Sequence, residues 1–372
     1  MSLSPLSGVR VLDFTVFPPG AVCSVMLADL GAEVIRVESP SLKGKPSTVF
    51  GQMGMSRSKK SMTLDMRHPR SSEVLLKMAP GVDVVVENAK PGAMTARGFG
   101  FPQAHDANPG LTWCAITGFG QDGPYANHAG HDLSYLAHSG LLGALSSDPS
   151  FQPAISLAVQ LGAMSAVIAI QAALLERGRT GQGSFLDISL SEAAGFMLTA
   201  GFNPLSDDPM MIPATHDRRM YECADGRRVA VASAEPRTWE ALCQGLELPE
   251  LSDKLYDRAA GPETAEAVAA VLRTRPAAYW VETLAPTGAA ITIANHGSQL
   301  LSDPQVVARG AVVDVAGTPV PASPFRLSSA AGEKSQTNTA PASNVGDDTQ
   351  AVLLACGLSQ AEIDELAADN LF

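Results

Sequence analysis

Apolar and polar positions switch between two periods along the first third of the chain. Val9 to Phe14 is a short β-rich run, stopped by Thr15 and the breakers Pro18, Pro19 and Gly20. Val22, Met26, Leu27 and Leu30 then recur at helical spacing, and Gly31 stands where a helix C-cap is expected. Ala32 to Val37 is the next strand, so these pieces form a β-α-β unit of about 30 residues. The pattern repeats with a strand at Ser61–Met66, a helix at His68–Met78 and strands at Val82–Glu87 and Leu111–Thr117. Two of the runs, Val34–Val37 and Val82–Val86, are nearly continuous in apolar residues, as in a sheet covered on both faces. The pattern predicts a doubly wound α/β layer around a Rossmann-like parallel sheet.

The middle of the chain changes character. Leu157 to Leu175 is long and mostly apolar, but Gln160, Ser165 and Gln171 interrupt it and small residues pepper it. That reads as a buried central helix and not a membrane span. A turn at Gly178–Gly183, a strand at Ser184–Ile188 and a helix through Ala194 follow. A Pro/Asp/Met-rich connector at 205–213 leads into a second module. There Gly226–Val231 reads as a strand and Pro236–Leu246 as a helix with proline in its first turn. Helices at Thr264–Arg273 and Ala277–Leu284, a polar extended arm at Ser328–Asp347 and a last helix at Ser359–Leu366 complete the pattern.

With 372 residues, 45% hydrophobic and 17% charged, the chain has enough apolar material for a large core, which excludes a disordered protein. Acidic residues outnumber basic ones 38 to 26, giving a net charge of −12, which disfavours a general nucleic-acid binder unless the cations gather into one local site. Five scattered cysteines without a Cys-x-x-Cys pair read as free thiols of a reducing compartment. The start lacks a basic region followed by an apolar run. The expectation is a cytoplasmic protein that engages no membrane.

Several chemistries find no support. Phe17-Pro-Pro-Gly20 has one glycine where a dinucleotide turn needs three, and neither a Walker loop nor a Gly-x-Ser-x-Gly elbow is present. His128 and His131 are three apart without a completing carboxylate or cysteine, so no metal site is expected. The densest chemistry runs from Gly118 to Gly140, a glycine-rich segment leaving the C-terminal end of a parallel strand, where open α/β sheets place ligands. His131 and Asp132 open a helix there, and the positive end of its dipole favours the neutral imidazole that a general base requires. The same pair also suits a plain N-cap beside a polar loop histidine. A basic cluster, Arg57, Lys59, Lys60, Arg67 and Lys90, fits a polyanionic small ligand or an ordinary solvated surface.

At these residues the chain resembles the family III coenzyme A transferases (the CaiB/BaiF superfamily), and within them the α-methylacyl-CoA racemases. The resemblance rests on Pro-Gly-x-x-Cys-x-x-x-Leu-Ala-Asp-Leu-Gly-Ala-Glu-Val-Ile-Arg-Val from Pro19, Lys-Lys-Ser-x-Thr-Leu-Asp from Lys59 and Val-Glu-Asn-x-Lys-Pro-Gly from Val86. It continues in Gly-Phe-Gly-Gln-Asp-Gly-Pro-Tyr from Gly118 and Ala-Leu-Leu-Glu-Arg-Gly-Arg-Thr-Gly-Gln-Gly from Ala173. Gly-His-Asp-Leu-x-Tyr-Leu from Gly130 points to the racemase branch. The resemblance implies a large CoA-binding Rossmann-like domain (1–204), a smaller α+β domain (205–318), a C-terminal return (319–372) and an interlocked homodimer.

It also implies an acyl-CoA thioester substrate, with coenzyme A part of that substrate and no tightly bound cofactor. His131 matches the histidine that removes the α-proton through an enolate, and Glu235 matches a glutamate that orients it. Ser39, Leu64, Asp65, Arg67, Asn88, Ala89, Lys90, Gly130 and Tyr135 match positions along the coenzyme and the pocket. Two positions depart from the pattern. Ser39 stands where the family commonly has a basic residue, with Lys43 and Lys45 nearby to supply charge. Gln160 falls on the family's catalytic aspartate, and an amide can be neither a second base nor an acylated nucleophile. Three activities stay open: altered racemase-type proton chemistry, coenzyme A transfer between carboxylic acids, and acyl-CoA binding without turnover.

Overall fold

The computed structural model describes residues 3–201, 205–206 and 214–372. Apart from Leu205 and Ser206, the connector expected at 205–213 lies outside them. The chain divides into two units, residues 1–209 with 310–372, and residues 210–309. The family resemblance implies junctions at 204/205 and 318/319.

The first unit opens with β1 (Arg10–Asp13), α1 (Pro18–Asp29) and β2 (Glu33–Glu38). Helix α1 starts on two prolines, whose missing N–H groups a first turn would leave unpaired in any case. A short α2 (Met53–Ser56) precedes β3 (Lys60–Thr63), α3 (Ser71–Met78) and β4 (Val84–Glu87). Helices α4 (Ala93–Ala96) and α5 (Phe101–Ala107) lead to β5 (Thr112–Thr117). Then come α6 (Asp132–His138), α7 (Leu141–Leu145), the long α8 (Leu157–Thr180), β6 (Phe185–Ser189) and α9 (Leu190–Phe196).

All six strands are parallel, in the order β3-β2-β1-β4-β5-β6. Register places Leu12 beside Ile35 on one side and Val85 on the other. Side chains alternate between two cores because successive strand residues face opposite ways. Leu12, Ile35, Val85 and Trp113 pack with α3 on one face, and Val11, Val34, Val84 and Cys114 pack with α1 and α8 on the other. The strand order reverses between β1 and β4, which opens a crevice beyond their C-terminal ends.

Helix α8 is long and apolar enough to cross a membrane by length and composition. Its small face, including Ala158, Ala163, Ala166 and Ile170, is instead buried in the core shared with α1 and α9. Its other face carries exposed Met164, Ile168 and Leu175.

The second unit is α+β. Strands β7 (Arg218–Glu222) and β8 (Arg228–Ala232) pair antiparallel, followed by α10 (Pro236–Gly245), α11 (Gly261–Leu272) and α12 (Ala277–Leu284). Strand β9 (Ile291–Ile293) joins β8, and α13 (Pro304–Ala308) ends the unit. Trp239 and Trp280 anchor its core, and their buried indole N–H groups donate to the carbonyls of Leu251 and Leu272, each at 2.8 Å.

The chain re-enters the first unit through a hairpin, β10 (Val312–Val315) and β11 (Thr318–Pro321). The polar arm then runs beside residues 44–58, with Gly44 N–H donating to Val345 O and Ser58 N–H to Ala340 O, both at 2.9 Å. Helices α14 (Thr349–Ala355) and α15 (Gln360–Ala368) cover the α3 face with Val352, Leu353, Ile363 and Leu366.

Candidate active site

A cavity of about 580 Å³ lies at the β1/β4 crevice, a size that suits a small-molecule ligand. Three strand ends supply its walls: Phe17–Pro19 after β1, Asn88–Pro91 after β4, and Thr117–Gly118 at the end of β5. The glycine-rich segment closes it with Ala126–Leu133, and Ser156 and Val159 add the start of α8.

Tyr135 organises the glycine-rich wall. A Cβ on Gly118 would lie 2.4 Å from its ring and one on Gly130 2.7 Å away, so neither position admits a side chain. The Tyr135 hydroxyl donates to Gly130 O at 2.6 Å, and Phe119 meets the ring edge-on. Burial, with the neighbouring Asp132 charge, raises the phenol above its ordinary pKa.

His131 sits at the N-cap of α6, exposed and lining the cavity. Asp132 points elsewhere. Its Oδ2 accepts the Leu157 N–H at 3.1 Å and its Oδ1 the Val159 N–H at 3.0 Å, so its carboxylate caps α8. Ser156, the N-cap residue of that helix, contributes no side-chain bond of its own. One residue thus ties the histidine to the start of the helix that carries Gln160. Gln160, next along the helix from Val159, is exposed and is not among the residues that line the cavity.

Of the positions singled out from sequence, Asn88, Ala89, Lys90, Gly130, His131 and Tyr135 meet around this cavity. Leu64, Asp65 and Arg67 leave the end of β3 on the same edge of the sheet, outside the cavity lining. The Leu64 side chain is buried in the core, Asp65 Oδ1 accepts the Arg67 N–H at 3.0 Å, and Arg67 is exposed. Ser39 follows β2 and its hydroxyl accepts the Ser41 N–H at 3.3 Å. Glu235 belongs to the second unit, at the N-cap of α10, where its N–H donates to Thr238 Oγ1 at 3.3 Å.

The basic cluster needs correction. Arg57 is buried on Asp29 at 2.6 Å, Lys59 is buried beside Asp13, and Lys60 pairs with Glu33 at 2.5 Å. These cations neutralise buried or neighbouring carboxylates within the fold, which charge counting along the sequence does not reveal. Arg67 and Lys90 remain exposed, and Lys90 lines the cavity.

Sequence reasoning passed over Phe17, Phe50, His128, Leu133 and Gln152 as site residues. The glycine-rich stretch was a signal for His128, whereas Phe50 and Gln152 lie on long loops without any pattern. Beside the site, Glu87 ends β4 with its carboxylate buried. Burial raises its pKa, against the stabilising Ala89 N–H at 2.6 Å and the Trp113 indole.

The family model for CoA-transferase family III matches residues 6–349. The chain is 30% identical to the α-methylacyl-CoA racemase of Mus musculus over 98% of this chain and 97% of that protein. It is 33% identical to the succinyl-CoA–D-citramalate CoA-transferase of Chloroflexus aurantiacus over 67% of this chain and 66% of that protein. A CaiB/BaiF family protein from Brucella suis superposes with a TM-score of 0.79 at 26% identity, covering 96% of this chain and 100% of that one. A parallel sheet with its cavity at the strand-order reversal, a family model matching residues 6–349, a racemase matched over nearly the whole chain and a transferase matched over two thirds of it place this chain in CoA-transferase family III.

Proposed function

We propose that the protein binds an acyl-CoA thioester at the β1/β4 cavity and that His131 removes and returns the α-proton of a 2-methylacyl group. Coenzyme A would lie along Leu64–Arg67 and Asn88–Lys90, with the Lys90 ammonium and the Arg67 guanidinium available to its phosphates. The enolate oxygen would accept a hydrogen bond from the Gln160 amide.

The observation that carries this reading is the poverty of carboxylates around the histidine. Among the described residues lining the cavity the only carboxylate is Asp132, and both of its oxygens are engaged by α8. Gln160, at the position matched to the family's aspartate, has no proton to exchange near neutral pH. With His131 as the one base at the α-carbon and no free carboxylate opposite it, the proton leaves and returns on the same face.

Incubating a single enantiomer of a 2-methylacyl-CoA in heavy water tests this. The reading predicts deuterium at the α-carbon with little inversion, lost in His131→Ala. The transferase relatives favour a second reading, coenzyme A transfer, which requires a carboxylate that becomes acylated. Mass spectrometry of the substrate-treated protein should find that adduct under the second reading and none under the first. Tight binding without exchange or adduct, unaffected by His131→Ala, would make the protein a carrier.

The exposed apolar stripe of α8, Met164, Ile168 and Leu175 at helical spacing below Gln160, supports a homodimer. Five buried free thiols support a cytoplasmic setting.

A further inference from the structure

Beneath the cavity lies a buried ion pair that the chemistry above does not use. Asp13 ends β1 and Lys59 precedes β3; both side chains are wholly buried, with Lys59 Nζ 3.5 Å from Asp13 Oδ2. An apolar pair of the same size would avoid the desolvation such charges suffer. Burial pulls the ammonium down to a pKa of about 8, against the pull of Asp13, so it stays largely charged at neutral pH.

The side-chain hydrogen bonds of this pair converge on one short segment. Asp13 Oδ1 accepts the Thr15 N–H at 2.9 Å and the Thr15 hydroxyl at 2.5 Å, and Oδ2 accepts the Ser24 hydroxyl at 2.5 Å. Lys59 donates to Ala21 O at 3.0 Å and to Ser24 Oγ at 2.7 Å. These partners bracket Val16 and Phe17 of the β1–α1 loop and the first turn of α1, of which Phe17, Pro18 and Pro19 line the cavity. The turn is tight as well: a Cβ on Gly20 would fall 2.0 Å from Thr15 Cγ2. A second tie runs from the Val16 N–H to Asn88 Oδ1 at 3.3 Å, which registers the loop against the end of β4.

Apolar packing does not hold the loop tip. Val16 is 61% and Phe17 53% exposed, and the Phe17 ring meets Phe50, itself 69% exposed. We propose that the Asp13–Lys59 pair, acting through Thr15 and Ser24, is a positioning device that holds the β1–α1 loop rigid as a wall of the substrate cavity. The pair touches no substrate itself. Its kinetic consequence rests on the acyl-CoA reading, whereas the rigidity of the loop does not.

Thr15→Val keeps the side-chain shape and removes the hydroxyl bond to Asp13, and Thr15→Ser keeps that bond. Phe17→Trp adds an exposed indole to a chain whose own three tryptophans are buried (Trp113 1%, Trp239 0%, Trp280 6% exposed). Its acrylamide-quenchable emission therefore reports the loop. In ligand-free protein, nanosecond anisotropy of that emission should show a rigid indole in the Phe17→Trp single variant and a mobile one with Thr15→Val added. Thr15→Ser should restore rigidity. For α-proton exchange, Thr15→Val should raise KM about tenfold with kcat within about twofold, and Thr15→Ser should recover the parent KM. Melting curves verify folding, and Thr15→Ala carries the same comparison if the valine variant does not fold. A rigid indole in folded Thr15→Val or Thr15→Ala overturns the proposal. If the parent binds neither coenzyme A nor acetyl-CoA, the functional reading falls while the anisotropy still decides the loop's dependence on the pair.

Discussion

Replacing Asp132 with alanine would strip α8 of its N-terminal cap. The carboxylate accepts two of the helix's otherwise unpaired donors, Leu157 N–H at 3.1 Å and Val159 N–H at 3.0 Å. Losing a side-chain cap costs about 0.5–2 kcal/mol, and losing a negative charge at the positive end of the helix removes about 0.3–1 kcal/mol more. Together these amount to roughly 1–3 kcal/mol of local stability, or an opening of the first turn favoured about five- to 150-fold more. Amide hydrogen exchange over residues 157–160 reads this directly. Asp132→Ala should accelerate those amides by that factor while β1, β4 and β5 exchange as before, and Asp132→Asn, which keeps one acceptor, should fall between. Ser156 and Val159 line the cavity, so α-proton exchange should decline in parallel. Unchanged exchange at 157–160 in the alanine variant would refute the cap, and with it the tie between His131 and the helix that carries Gln160.

The native state should also lose stability as the pH rises past the thiol range. Burial raises the pKa of Cys23, Cys114, Cys223 and Cys356, and brings Cys243 to about 11, so in the folded state these thiols stay protonated where unfolded thiols, near about 8.5, ionise. The unfolded state then binds fewer protons, and stability falls with rising pH; Lys59, at about 8 when folded, opposes this as one group against five. Melting temperatures should therefore be lower at pH 10 than at pH 7.5, and a rise over that interval would contradict the assignment. Ile168→Glu, at the centre of the exposed α8 stripe and 66% exposed in the single chain, should convert a dimer to monomers in sedimentation without a change in far-ultraviolet circular dichroism. A dimer that survives it would place the contact elsewhere.

The parallel sheet was legible because strands covered on both faces leave continuous apolar runs, as in Val82–Val86, and because Gly31 and the prolines of α1 punctuate the crossover. Strand β7 was not legible: Arg218-Arg-Met-Tyr-Glu buries only Tyr221, so neither alternation nor hydrophobicity marks it. The hairpin β10–β11 hides for a related reason, with prolines at 319 and 321 in a strand that only one neighbour pairs. At the site, the glycine-rich segment and His131 stood out through composition and placement after a strand. The partners of the cations did not, because Asp13 and Lys59 are 46 residues apart and Asp29 and Arg57 are 28 apart. The role of Asp132 was read as a cap for its own helix, whereas it caps a helix that begins 25 residues later.

The central claim is that one imidazole works without an ionisable counterpart at residue 160. The most direct measurement is the ratio of inversion to α-deuterium incorporation for one enantiomer of a 2-methylacyl-CoA, compared between the parent protein and Gln160→Asp. The account predicts a ratio near zero in the parent and a clear rise in the aspartate variant. A parent that already inverts at each exchange, with no further change in Gln160→Asp, would contradict it.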